Sequence, residues 1–255
     1  MCGIVGFIGE VPEGMWDQTY RMISALFLAA QHRGEHATGL AATLSPYKRP
    51  DAGQMVFAKQ PLPANVFLRV DPLWRQLQHR RCAAIVGHVR FATHGSPTEP
   101  ANNHPFVSKG LAVVHNGVLN NHRELADRHN LRLVGECDSE VILRMVERAA
   151  DPVAGLASCL HECKGSMAVA VYDQRRGAVH LARNSGRPLW LARLKNDRRI
   201  FFASTESILL NGLRAVLGRS LRLDLLLPVA EHAVHTLTSD GAILAVASVG
   251  LRTSA

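Results

Sequence analysis

Between residues 166 and 203 the chain presents four short apolar runs in quick succession, at 166–173, 178–183, 189–194 and 200–203. Polar and glycine-bearing turns part them, and each run is too short for an ordinary helix. They read as a β meander. Similar runs occur at 3–9, 37–44, 54–59, 83–91 and 111–115, and residues 47–53 (YKRPDAG) carry turn chemistry between two of them. A last hairpin, 233–238 with 242–249, is joined through Ser239-Asp240-Gly241. Helical periodicity is confined to a few places. Ile23, Leu26, Phe27 and Ala30 fall on one face of 16–30, and Val141, Ile142, Met145 and Val146 on one face of a helix opened by Asp138. Asn120 or Asn121 can cap a further helix over 122–129, and Asn116-Gly117 signals a turn. Many antiparallel strands with helices at the ends and middle make one α+β domain, without linker or repeat.

The 255 residues, 47% of them hydrophobic, suffice for a real core and exclude a disordered chain. Charged residues break every apolar stretch short of the ~18 residues that a membrane span needs, so no membrane association is expected. The start, MCGIVGFIGE, lacks the basic n-region of a signal peptide. Cysteines at 2, 82, 137, 159 and 163 form an odd, sparse set rather than a disulfide framework, which favours a reducing, cytoplasmic setting. The net charge is +8, yet the basic residues come as scattered doublets (Arg80-Arg81, Arg175-Arg176, Arg198-Arg199) and aromatics make up only 5%. That argues against nucleic acid and for a solvated basic surface.

No H-E-x-x-H or paired C-x-x-C occurs, and in Cys159-x-His161-x-Cys163 helical spacing would turn the histidine away from the cysteines. P-loop and Rossmann glycine motifs are missing too. Neither metal nor cofactor is expected. The least regular stretch, 92–108 (ATHGSPTEPANNHPFVS), has neither helical nor alternating period; a polar loop of that length is usually functional.

Cys2 is the first residue with catalytic potential. If Met1 is trimmed, Cys2 carries a thiol and a free α-amine, with ordinary pKa values of about 8.5 and about 7.7–8.0, so the pair can exchange a proton near neutrality. An inert start to a strand is the plain alternative. Six segments decide between them: C-G-I-V-G at 2–6, Q-H-R-G-E-H-A-T-G at 31–39, G-H-V-R-F-A-T-H-G at 87–95, N-H-P-F at 103–106, H-N-G-V-L-N-N at 115–121 and D-S-E at 138–140. In order and spacing they resemble the glutaminase domain of class II glutamine amidotransferases, of the N-terminal-nucleophile hydrolases. The later G-S-M-A-V-A-V-Y-D and F-F-A-S-T-E-S segments are similar as well. The first two segments lean toward the amidophosphoribosyltransferase branch, and G-H-V-R-F-A-T-H-G toward the glucosamine-6-phosphate synthase branch.

The resemblance implies a four-layer αββα sandwich of two antiparallel sheets and hydrolysis of L-glutamine to glutamate and ammonia, without metal. It implies Cys2 as nucleophile, with Asn116 and the Gly117 N–H as oxyanion hole. Arg90, with Thr93 and His94, would take the substrate α-carboxylate, and Asp138 its ammonium. Arg33 and Gly34 would form a supporting turn, and His104 would help position the family's mobile loop. Phe91 departs from the Trp or Tyr of many relatives. Residues 2–250 are expected to form a single such domain without a synthase domain, so that ammonia would pass to a separate acceptor enzyme, for which the +8 charge offers a docking term. A γ-glutamyl amide hydrolase of the same fold and a non-catalytic glutamine sensor are the alternatives; a homo-oligomer is left open.

Overall fold

In the computed structural model, residues 1–44 and 53–246 are described. The proposed turn over 47–53 therefore falls almost wholly outside the described residues, as does the end of the last hairpin, 247–249.

Two sheets form, antiparallel throughout. The seven-stranded sheet contains β1 (Gly3–Ile8), β2 (Ala37–Leu44), β3 (Gln54–Gln60), β4 (Cys82–Arg90), β9 (Trp190–Leu194), β10 (Ile200–Ala203) and β11 (Leu223–Pro228), in the order β11-β9-β10-β1-β4-β2-β3. The six-stranded sheet contains β5 (Phe106–Ser108), β6 (Leu111–Leu119), β7 (Gly165–Asp173), β8 (Ala178–Arg183), β12 (Val234–Thr238) and β13 (Ile243–Val246), in the order β13-β12-β8-β7-β6-β5. The supposed meander is thus split: β7 and β8 lie in one sheet, β9 and β10 in the other.

Side-chain alternation builds the layers. Val113, Met167, Val169 and Val171 pack outward against α4 (His122–Arg128), α5 (Glu140–Arg148) and α6 (Pro152–Glu162), in one apolar cluster with Leu125, Ile142 and Leu156. Ala112, Val114, Ala168, Ala170 and Tyr172 of the same strands point inward, to Ile4, Ile8, Val86 and Phe202 of the other sheet. Val5, Phe7 and Ile85 face α1 (Trp16–Ala30), α2 (Ala64–Val70), α3 (Pro72–Leu77) and α7 (Glu206–Leu217), joining Phe27, Phe67, Trp74 and Leu213. Three apolar clusters separate four layers, which is the αββα sandwich. Buried side chains of this size each contribute about 1.5–3 kcal/mol.

Helices α2, α3, α6 and α7 escape the sequence reading: α2 and α3 span under two turns each, whereas α7 does place Ile208, Leu209 and Leu213 on one face. Their starts are chemically marked all the same. Asp71 accepts the Trp74 N–H at 2.9 Å ahead of Pro72, and Thr205 accepts the Ile208 N–H at 3.2 Å. Asn121 precedes α4 but does not cap it. Its amide accepts the Lys164 N–H at 2.8 Å and donates to the Glu162 carbonyl at 2.9 Å, tying α4 to the end of α6.

Candidate active site

The β1–β4 register pairs Gly3 with Val89, which sets Cys2 beside the end of β4. There the Phe91 N–H donates to Cys2 Sγ at 3.3 Å. That approach needs Gly34, where a Cβ would lie 2.6 Å from the Phe91 nitrogen and 2.4 Å from the Arg90 carbonyl carbon. Gly34 follows a 3-10 turn over Gln31–Arg33 that closes α1 and delivers Arg33. The Arg33 Nε–H donates to the Cys2 carbonyl at 2.8 Å. Burial pushes the Cys2 thiol pKa up. The Phe91 N–H, the chain's terminal ammonium and Arg90 pull it back down, while Asp138 raises it. One sulfur therefore feels both a guanidinium and a carboxylate.

Arg90 ends β4 with its side chain buried. It donates to Asn103 Oδ1 at 2.8 Å, to the Gly95 carbonyl at 3.0 Å and to the His94 carbonyl. Its Nε–H and one Nη1–H make none of these bonds; they lie on different edges of the guanidinium, so each can offer a single bond to an anion. The polar loop is thereby fastened to the strand it follows. Asn103 donates to the Pro97 carbonyl at 2.6 Å, and Lys59 to the carbonyls of Asn103 and Pro105 at 2.9 and 3.3 Å. His94 contributes its carbonyl to Arg90 while its ring meets His122 edge-on at 5.8 Å, and Thr93 lies exposed at the loop's start. His104 is buried between His88 and Phe106, at 4.0 and 4.8 Å between ring centroids. His88 donates through Nε2 to the His115 carbonyl at 2.9 Å, and burial pushes its pKa down to about 3.

The six-stranded sheet supplies the rest. Asn116-Gly117 is not a turn: both residues lie inside β6, opposite Ala168 and Met167. The strand demands glycine, because a Cβ at Gly117 would sit 1.8 Å from the Ser166 carbonyl oxygen. The buried Asn116 carboxamide donates to Ser204 Oγ at 3.5 Å, and that oxygen also accepts the Ile4 N–H at 2.7 Å. Asn116 is thus tied to β1, two residues past Cys2. Asp138 does not cap α5, which begins at Glu140 behind Ser139. Its carboxylate turns back instead and accepts the Leu119 N–H at 2.6 Å. Ser139 links Asp138 to His115, its hydroxyl 2.7 Å from His115 Nδ1 and 3.5 Å from Asp138 Oδ1.

Cys2, Arg33, Gly34, Arg90, Asn116 and Asp138 are therefore joined by short contacts or by charge, with Gly117 next to Asn116 in the strand. Thr93 and the His94 ring stand apart, on the loop. Sequence reasoning missed four participants: the Phe91 backbone N–H, Asn103, Ser204 and Arg187. Asn103 and Ser204 lie within motifs quoted above, and Ser204, directly after the apolar Phe201-Phe202-Ala203, was a usable signal. Arg187 had none. Its Nη1 lies 3.5 Å from Met1 Sδ.

Comparison with known proteins fits this geometry. Residues 88–211 match the family described as a glutamine amidotransferase domain. Glutamine–fructose-6-phosphate aminotransferase (isomerizing) of Chlamydia pneumoniae is 30% identical over 223 residues, 81% of this chain and 33% of the relative. That of Rhizobium meliloti (strain 1021) is 32% identical over 202 residues, 74% of this chain and 29% of the relative. The chain thus spans about a third of the length of the curated relatives it matches. The solved glutamine phosphoribosylpyrophosphate amidotransferase from B. subtilis shares the fold, with a TM-score of 0.72 and 20% identity over 98% of this chain and 50% of that one. Among the described residues no helix is long and apolar enough to cross a membrane. With two packed antiparallel sheets and the sequence relatives in agreement, residues 88–211 carry the match to a glutamine amidotransferase domain, and the whole chain has the fold of the solved amidotransferase.

Proposed function

We propose that Met1 is removed and that residues 2–250 act as one domain hydrolysing L-glutamine at Cys2. The Cys2 α-amine takes the thiol proton, and the thiolate attacks the γ-carboxamide carbon. The second Asn116 amide hydrogen and the Gly117 N–H receive the oxyanion, a contribution of about 2.7–4 kcal/mol per donor in such sites. The C–N bond then breaks, the α-ammonium returns its proton to the leaving nitrogen, and ammonia departs. Water cleaves the γ-glutamyl thioester and restores the thiol. Arg90 reads the substrate carboxylate through its charge and a single remaining N–H, and Asp138 its ammonium. Thr93 and His94 would join them from the loop, with His104 keeping that loop in place and Gly34 and Arg33 steadying the nucleophile.

A single observation carries this reading: Cys2 Sγ accepts the Phe91 N–H at 3.3 Å directly after the buried Arg90, and Arg90 and the buried Asp138 supply the opposite charges suited to an amino-acid zwitterion. The test combines intact mass with labelling by a chloroketone analogue of glutamine. Loss of Met1 and one adduct per chain on Cys2 are expected. An unlabelled Cys2 in the Met-free protein would leave a non-catalytic glutamine-binding module as the better account.

We further propose that the ammonia passes to a separate acceptor enzyme. The matched aminotransferases support transfer to an acceptor, since they are named for transfer from glutamine to a sugar phosphate. Co-purification from native extract, with ammonia release measured with and without the bound protein, checks it. Full activity with no partner retained counts against it.

A further inference from the structure

Arg33, Arg90 and Arg187 gather where the chain begins, and among the described residues none of them forms an ion pair. Buried charges are ordinarily paired, because desolvating one alone is expensive. Arg90 is tied to the loop and faces the proposed glutamine carboxylate. Arg33 and Arg187 are different. Arg33 is buried, with Nη2 3.9 Å from Met1 Sδ, and Arg187 Nη1 approaches the same sulfur at 3.5 Å. Arg187 Nε is buried with no acceptor. Two guanidiniums thus converge on a thioether, a weak acceptor without charge. Burial first, and Arg187 second, lower the Arg33 pKa, so the two cations strain each other as they stand.

Their position relative to the chemistry follows from the covalent structure. Met1 is attached to Cys2 through the nitrogen that becomes the α-amine once Met1 is gone. That amine must reach the leaving nitrogen to protonate it, within about 3 Å. The space held by the Met1 side chain therefore opens on the leaving-group side of the scissile bond. Ammonia has no substituent to put there; the amine of an amino acid does.

We propose that Arg33 and Arg187 form a carboxylate-binding subsite on the leaving-group side of Cys2, suited to γ-glutamyl amides whose leaving amine is an amino acid. The proposal rests on Cys2 being the N-terminal nucleophile. The reaction is otherwise unchanged: the C–S bond forms, the C–N bond breaks, and the amino acid leaves with the proton from the Cys2 α-ammonium. Water then releases glutamate. On the substrate the arginines touch only the departing carboxylate, while Arg33 Nε keeps its bond to the Cys2 carbonyl.

The probes are γ-glutamylglycine and γ-glutamylglycinamide, alike in shape and different in charge, with L-glutamine alongside. For the Met-free protein, kcat/KM for the acid should exceed that for the amide by about tenfold or more, the scale of a charge-assisted bond. Raising the salt concentration should narrow the ratio, Arg187→Gln should bring it near one, and Arg187→Lys should keep part of it. Equal rates for the two probes in the unaltered protein overturn the subsite. So does a ratio untouched by Arg187→Gln, or glutamine turnover with neither probe cleaved. If no substrate is turned over and Cys2 resists labelling, the nucleophile reading itself has failed and takes the subsite with it.

Discussion

The two sheets furnish the candidate site in different ways. The seven-stranded sheet offers its pieces at chain ends and junctions: Cys2 ahead of β1, Arg33 in the turn after α1, Arg90 as the last residue of β4. The six-stranded sheet offers Asn116 and Gly117 from within β6, and holds Asp138 through the backbone of Leu119 at the strand's end. Pieces at junctions are aimed by a few hydrogen bonds to loops. Pieces within a strand are fixed by the pleat and, for Asn116 and Gly117, by pairing with β7. The first sheet carries the nucleophile and the cations; the second carries the neutral amide and the carboxylate. Only the packing of one sheet on the other brings them within reach.

The sharpest break in that division is to remove the nucleophile while keeping both sheets. Cys2→Ser replaces a half-buried thiol with a hydroxyl of similar size, so thermal unfolding should barely change. Glutamine hydrolysis should fall by about a thousandfold or more, since the nucleophile acts in every step. Ammonia release combined with calorimetry reads both effects. Substantial residual turnover would move the chemistry away from Cys2.

The next largest effect tests the strand interior. Asn116→Ala should lower kcat by about 10²–10³ while leaving KM near its starting value, because the donor acts on the oxyanion rather than on bound glutamine. A rise in KM with kcat unchanged would make Asn116 a ground-state contact instead. Stability should fall modestly, since the Asn116–Ser204 bond is long at 3.5 Å.

These two residues also show what the sequence could and could not reveal. Cys2 was legible because its chemistry depends on being near the chain start, which is a one-dimensional fact. Asn116-Gly117 was recognised as a pair but given the wrong backbone. The dipeptide favours tight turns when nothing else acts on it. Here the Ser166 carbonyl, 1.8 Å from where a Cβ would stand, makes glycine a packing requirement of β6. Asp138 erred similarly: its place before a helix suggested a cap, but a strand N–H 19 residues earlier captured the carboxylate. Strand existence was read well across the meander, and sheet membership was not. Which sheet a strand joins depends on partners such as β1 and β11, far off in sequence. Arg187 was invisible for the same reason, since its significance arises from Arg33 and Met1 across the fold.

A smaller effect comes from the histidines where the sheets meet. The folded pKa of His88 is depressed from 6.5 to about 3, chiefly by burial; its bond to the His115 carbonyl opposes the depression, and the His115 ring and Arg90 add to it. His104, beside it, is lowered as well. Both are neutral in the folded chain, whereas the unfolded chain takes up protons below about 6.5. Their contribution is therefore complete above that pH and is lost as the pH falls from 6.5 towards 3, by up to about 1.4 kcal/mol per pH unit for each. Melting temperature against pH should decline over this range. His88→Gln, which keeps a donor for the His115 carbonyl, should flatten the curve. An identical curve for the variant would assign the decline to other groups.

The smallest expected effect separates backbone from side chain at the end of β4. Phe91 offers its N–H to Cys2 Sγ, while its ring is 46% exposed and stacks on His36 at 4.9 Å. Phe91→Leu preserves the N–H and trims only the exposed ring, so kcat should stay within about twofold, the scale of an ordinary surface change. Gly34→Ala does the reverse. It leaves Phe91 intact but sets a Cβ 2.6 Å from that same nitrogen, so the backbone must shift and the contact with sulfur must lengthen. A large loss in Gly34→Ala with near-normal Phe91→Leu places the contribution of this segment in the peptide group. The opposite pattern would make the aromatic ring the working part, and the departure from Trp or Tyr at this position would then carry functional weight.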